Sequence, residues 1–256
     1  MDMRAEGRVA LVTGGGSGIG AAIVRHLAGR GATVMVADLE ASEGPAVADQ
    51  IEGAFRAADL RSPDACRELI DHTAQRFGRL DIVVNNAGFQ HVAPIDEFPE
   101  EAWSSLLAVM LTAPFLLTKH AWPLMKARRW GRIINVSSTH GIVASPSKAG
   151  YISAKHGLIG LTRAAAIEGG PFGITVNAIC PGWTRTPLVE KQLAALAQAQ
   201  GVSTDEILSR IGPAETAIKR LIEPEEVAAL VGFLASDAAA GITGAVQVID
   251  GGLTVH

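Results

Sequence analysis

Residues 8–31 read RVALVTGGGSGIGAAIVRHLAGRG and change their periodicity halfway. Val9 to Val12 are apolar on both parities, the pattern of a strand covered on both faces rather than on one. A glycine-rich turn follows, Thr13 to Gly20, and beyond it Ile23, Val24 and Leu27 recur at helical spacing. Strand, glycine turn, amphipathic helix is the arrangement that cradles a pyrophosphate. Glycines permit a tight turn and close approach of the backbone, and the new helix points free N–H groups at an anion. Gly14, Gly18 and Gly20 are spaced more widely than G-x-G-x-x-G, but the same physics applies.

Outward from this unit the rhythm repeats. Short β-rich runs lie at 33–38, 80–86, 131–138, 173–182 and 245–252, with a weaker one, FRAADL, at 55–60. Segments of helical length separate them, so the chain is expected to form a parallel α/β sheet with helices on both faces. No linker or repeat interrupts the pattern, and one domain is expected over 1–256. Residues 188–222 break the rhythm with two polar-flecked helical stretches, placed to form a lid over the carboxyl ends of the strands.

Composition narrows the class. The 256 residues are 48% hydrophobic and 19% charged with a net charge of −4. That fits a globular protein and gives none of the basic excess of a nucleic-acid-binding surface. Cys66 and Cys180 offer neither a disulfide framework nor metal spacing and are expected as reduced core thiols. The N-terminus carries no secretory pattern, and no run approaches the apolar length of a membrane span, so a cytoplasmic protein with no membrane partner is expected.

Asp38 closes the second strand, where an acid can accept hydrogen bonds from an adenosine ribose and repel a 2′-phosphate. No Arg or Lys follows in DLEASEG, so NAD is favoured over NADP. The chain's only tyrosine, Tyr151, stands four residues before Lys155, on one face of a helix. An ammonium group there lowers the pKa of a phenol, which can then take an alcohol's proton while hydride leaves the carbon. Ser138, at the end of the fifth β run, can donate to the same oxygen. His140 and Lys148 fall close to Ser138 and Tyr151 in sequence and are therefore near this chemistry.

Together, Thr13-Gly14-x-x-x-Gly18-x-Gly20, Asn85-Asn86-Ala87-Gly88, Ser138, Tyr151-x-x-x-Lys155 and Pro181-Gly182 resemble the short-chain dehydrogenase/reductase family over the whole chain. The resemblance implies a Rossmann-type, doubly wound sheet of seven parallel strands, a nicotinamide cofactor and a homotetramer. It implies that Thr13, Gly14, Ser17, Gly18, Ile19 and Gly20 form the phosphate turn. Asp59, Leu60, Asn86, Ala87 and Gly88 would line the adenine side. Lys155 would hold the nicotinamide ribose, beside Tyr151, and Pro181, Gly182, Trp183, Thr184 and Thr186 would cover the nicotinamide. NNAGFQHVAPI, THGIVASPSKAGY and AICPGWTRTPLVEKQ look most like bacterial D-3-hydroxybutyrate dehydrogenases. In that group Gln90, Ser138, His140, Lys148, Tyr151, Trp183 and Gln192 would contact a small hydroxy-acid or keto-acid substrate.

Two stretches depart from the pattern. Met110 occupies the place of a family asparagine that holds a water linked to the catalytic lysine. Pro114 lacks the N–H that would bond the Met110 carbonyl, so a kinked helix with that carbonyl free is expected to compensate. The segment 209–226 does not reproduce the lid of the hydroxybutyrate enzymes. Two other readings stay open. One is the same chemistry on a polyol, sugar or 3-oxoacyl substrate; the other is a nucleotide-binding protein without turnover, supported by Met110 alone.

Overall fold

Strands apolar on both parities need helices on both sides, and the computed structural model, which describes residues 5–255 with the Pro213 side chain apart, supplies them. The terminal residues 1–4 and 256 of the single-domain expectation lie outside the described residues. Seven strands, β1 (Val9–Thr13), β2 (Thr33–Asp38), β3 (Ala54–Ala57), β4 (Ile82–Asn85), β5 (Gly131–Val136), β6 (Ile174–Pro181) and β7 (Val246–Ile249), form one parallel sheet in the order β3-β2-β1-β4-β5-β6-β7. Every β run expected from the sequence is a strand, and the weak one is β3, at the sheet's edge.

The helices in chain order are α1 (Gly18–Gly29), α2 (Gly44–Gln50), α3 (Pro63–Phe77), α4 (Glu100–Leu107), α5 (Ala113–Arg128), α6 (Ala149–Gly169), α7 (Pro187–Gln200), α8 (Thr204–Arg210) and α9 (Pro224–Leu234). Parity sorts the core into two layers. Ala10, Val12, Val34 and Val36 pack under Ile23, Val24 and Leu27 of α1 and Val227 and Val231 of α9. Leu11, Met35, Val83 and Ile133 pack on the other side with Leu69 and Ile70 of α3 and Leu117 and Ala121 of α5. Each such aliphatic side chain, fully buried, contributes about 1.5–3 kcal/mol relative to exposure. Cys66 and Cys180 are buried free thiols, and burial pushes Cys66 up to about 11, so it is inert at neutral pH.

The chain starts in mid-sheet, runs outward to β3, then returns to lay β4 on the other side of β1. This reversal opens a crevice at the carboxyl ends of β1 and β4, where open α/β sheets bind ligands. A buried acid locks the opposite end of the same strand pair. Asp81 is fully buried; its Oδ2 accepts the Val9 N–H at 2.8 Å, and its two oxygens take Arg79 Nε and Nη2, each at 2.7 Å. Asp81→Ala leaves that amide and guanidinium without an acceptor. A loss of about 3 kcal/mol in urea unfolding is expected, with the fold retained.

Between α4 and α5 the helix widens into a π-helical turn, Ala108–Thr112, with the Ala113 N–H bonded to the Ala108 carbonyl. The continuous helical run Glu100–Arg128 is long and apolar enough to cross a membrane by length and composition. Here Leu106, Met110, Leu117, Ala121 and Met125 are buried inside the protein, while Trp103 and Phe115 are exposed.

Candidate active site

The crevice is a cleft of about 790 Å³ whose walls include Gly14, Ser17, Gly18, Ile19, Gly20, Asp38, Asp59, Leu60, Asn86, Ala87, Gly88, Tyr151, Lys155 and Thr186. Thr13 stitches its floor: Oγ1 accepts the N–H groups of Asn86 at 3.0 Å and Ala87 at 3.1 Å. Asn86 Nδ2 returns the contact to the Thr13 and Gly14 carbonyls at 2.9 and 3.1 Å. The glycines are sterically required. Gly14 has φ +63°, and a Cβ there would stand 2.8 Å from the Ala87 Cα; one at Gly20 would stand 1.9 Å from the Gly14 carbonyl oxygen. With no acid in the first turn of α1, this cradle fits a pyrophosphate at a helix N-terminus.

Asp38 Oδ2 accepts the Gly16 N–H and Oδ1 the Leu39 N–H, each at 2.8 Å. The carboxylate is thereby oriented by the turn itself and keeps acceptor capacity on the cleft wall. Asp59 is engaged by Arg61 Nε at 3.0 Å and Nη2 at 2.6 Å, so the cleft wall carries an ion pair where the adenine side is expected.

At the far end stand the candidate chemical groups. Ser138 Oγ caps a short 3-10 turn by accepting the His140 N–H at 3.1 Å. Lys155 is buried, and its Nζ donates to the Val136 carbonyl at 2.8 Å, 5.6 Å from the centre of the Tyr151 ring. Burial pushes the lysine down to about 8. The expected acidification of the phenol by Lys155 needs correction. Burial pushes Tyr151 above its ordinary value, and a hydrogen bond with Ser138 is the force pulling it back.

Gln192, on α7, donates from Nε2 to Gln90 Oε1, so two residues far apart in sequence meet, each beside residues of the cleft wall (Phe89 and His91, and Leu188). Lys148 is half-buried; burial lowers its pKa, and no carboxylate or hydrogen-bond partner faces its ammonium among the described residues. His140 Nε2 pairs with Ser145 Oγ at 2.9 Å, with its ring edge-on to Tyr151 at 6.1 Å. Burial, then the Lys148 charge, push His140 down to about 4. Its neutral form therefore stabilises the fold fully above about pH 6.5, and that contribution is lost as pH falls toward 4. His140→Gln is expected to flatten the fall in unfolding free energy across that window.

The cover residues divide. Pro181 ends β6, and a Cβ on Gly182 would press on Asp250 at 2.9 Å. Thr184 is buried and bridges to Ile222, while Thr186 caps α7 beside Gly18. Trp183 is half-buried, with its ring beside Gly212 and against the α7–α8 cluster of Leu193, Ala197 and Ile207. Sequence reasoning missed Arg61, His91, Glu101, Ser105 and Val109 on the cleft wall. Arg61, two residues past Asp59, had a discernible signal; the others belong to no spacing pattern.

The comparisons agree with this geometry. Residues 14–254 match a family model described as enoyl-(acyl carrier protein) reductase. An uncharacterized oxidoreductase, YxjF, of Bacillus subtilis is 47% identical over 97% of this chain and 99% of its own length. A D-beta-hydroxybutyrate dehydrogenase of Cupriavidus necator is 42% identical over 96% of this chain and 98% of its own. The crystal structure of levodione reductase superposes with a TM-score of 0.89 at 33% identity, covering 97% of this chain and 98% of that one.

Proposed function

The chain belongs to the short-chain dehydrogenase/reductase family, as an oxidoreductase on a nicotinamide-binding sheet, and from that premise we propose that it interconverts D-3-hydroxybutyrate and acetoacetate with NAD. One observation carries the substrate: the half-buried Lys148 ammonium has no acid of its own among the described residues. A buried cation is costly unless paired, so the site asks for an anion from outside. A carboxylate satisfies Lys148, with Gln90, Gln192 and neutral His140 as further donors. A neutral polyol would leave that cation unmatched.

Gly14, Gly18, Gly20 and the α1 N-terminus would hold the pyrophosphate, and Asp38 the adenosine ribose, which favours NAD over NADP. When bound, the nicotinamide supplies the hydride acceptor and a positive charge. Ser138 orients the alcohol oxygen, and Tyr151 takes its proton during oxidation and returns one to the alkoxide in reduction. Lys155 keeps a second cation beside the phenol. Because burial raises the phenol's pKa, these charges must do the lowering in the loaded enzyme.

Met110 is compatible with turnover. The wide turn Ala108–Thr112 precedes Pro114, which has no N–H, so a carbonyl of the turn is left without its helical donor and can hold a water. The Met110 Sδ is 3.1 Å, and Lys155 Nζ 3.8 Å, from the position a Cβ on Gly88 would take, so the turn adjoins the lysine. Met110→Asn is expected to change kcat by less than about tenfold; a gain beyond about a hundredfold, ~2.7 kcal/mol, would show the proton path was broken.

We further propose a cytoplasmic homotetramer. Apolar Trp103 and Phe115 on α4 and α5, Ile167 on α6 and Val248 on the edge strand β7 are exposed and would be covered by neighbouring copies. The decisive assay follows NADH absorbance with NAD or NADP, D- and L-3-hydroxybutyrate and a polyol panel. Rapid NAD reduction by the D-isomer alone is expected. Reduction by polyols and not by hydroxybutyrate would replace this reading with a polyol dehydrogenase.

A further inference from the structure

Among the described residues Glu52, Arg129 and Ser147 are the non-glycines with positive φ. Glu52 and Arg129 lie just beyond helices α2 and α5, where left-handed backbone is common. Ser147 has φ +64° in a turn centred on Pro146 and Ser147, immediately before Lys148. Proline followed by a positive-φ residue is the pattern of a type II turn, whose second central position favours glycine or asparagine. A serine stays in such a conformation only when its surroundings hold it there.

Two contacts supply that hold. The Ala93 N–H donates to the Ser147 carbonyl at 3.0 Å, and Ser145 Oγ pairs with His140 Nε2 at 2.9 Å. The segment 145–148 is thus fastened on one side to the loop bearing Gln90 and on the other to the turn bearing His140. Gln90 is itself bonded by Gln192. A half-buried ammonium with no counter-ion gains free energy by moving into water, so something must oppose the departure of Lys148.

We propose that Ser147 is a positioning residue whose left-handed backbone clips its carbonyl to Ala93 and so holds Lys148 opposite Gln90 to receive a substrate carboxylate. The role of the carboxylate rests on the reading given under Proposed function; the clip itself does not. Turning Ser147 to negative φ rotates the peptide that leads into Lys148, takes the acceptor from Ala93 and frees the lysine to swing outward. Backbone conformation, not the serine hydroxyl, is the working feature.

The test compares Ser147→Gly and Ser147→Asn, which tolerate positive φ, with Ser147→Val, whose β-branch does not. Three readouts are taken: hydrogen exchange at the Ala93 amide, acetylation of Lys148 by acetic anhydride followed by mass spectrometry, and steady-state kinetics. The Gly and Asn variants are expected to match the parent within about twofold. The Val variant should lose Ala93 protection, acetylate Lys148 at least about fivefold faster and raise KM for D-3-hydroxybutyrate at least about tenfold, with kcat and NADH affinity kept. Unchanged Lys148 acetylation in the Val variant overturns the proposal, as does a Gly variant as impaired as Val. If the parent oxidises no hydroxy acid, the carboxylate reading falls, while exchange and acetylation still decide the clip.

Discussion

Tyr151→Phe is expected to lower kcat for D-3-hydroxybutyrate oxidation by at least about a thousandfold, ~4 kcal/mol of transition-state stabilisation, with NADH affinity unchanged. The substitution removes one oxygen and keeps the ring that packs with Leu106, Met110 and Ala154, so the fold survives it. The effect is large because, in the proposed mechanism, the phenol is the group that exchanges a proton with the reacting oxygen. Ser138 is an unactivated hydroxyl that accepts the His140 N–H and orients the oxygen, Lys155 donates to the Val136 carbonyl, and burial holds His140 neutral down to about 4. A variant within tenfold of the parent would remove Tyr151 from the role of acid and base, and the mechanism with it.

Lys148→Met should act in opposite directions on activity and on stability. The stem is kept and the cation lost, so KM for D-3-hydroxybutyrate is expected to rise about a hundredfold, ~2.7 kcal/mol, with kcat nearly unchanged. The ammonium is half-buried with no acid beside it among the described residues, and its removal relieves a desolvation cost. The variant should therefore unfold at a higher temperature than the parent, the trade expected where a site keeps a charge for its ligand rather than for the fold. A Met variant with unaltered KM would assign the carboxylate to another group and reopen the polyol reading.

Most of the architecture was legible in the chain. The seven β runs and the helical spacings between them rest on local periodicity, which survives folding because both faces of the sheet are covered. Even the weak FRAADL run became β3, since an edge strand needs less apolar cover. The glycine turn was legible for the same local reason: the close approaches at Gly14 and Gly20 leave no room for a side chain. Less legible was the company of Trp183, whose ring packs against the α7–α8 cluster, residues beyond the reach of its own motif. At Met110, where the sequence suggested an irregular helix before Pro114, the irregularity takes the form of a π-helical turn, which no local spacing pattern announces.

From the sequence alone come the parallel α/β sheet, the nucleotide turn and the pairing of one tyrosine with one lysine on a helix face. Each depends on neighbours within a few residues. Tertiary structure alone decided what those groups experience. It packs Tyr151 so that desolvation raises its pKa, joins Gln90 to Gln192, and leaves Lys148 half out of water with no counter-ion among the described residues. Desolvation and charge pairing are set by whatever segments the fold brings together, and no local pattern records that company.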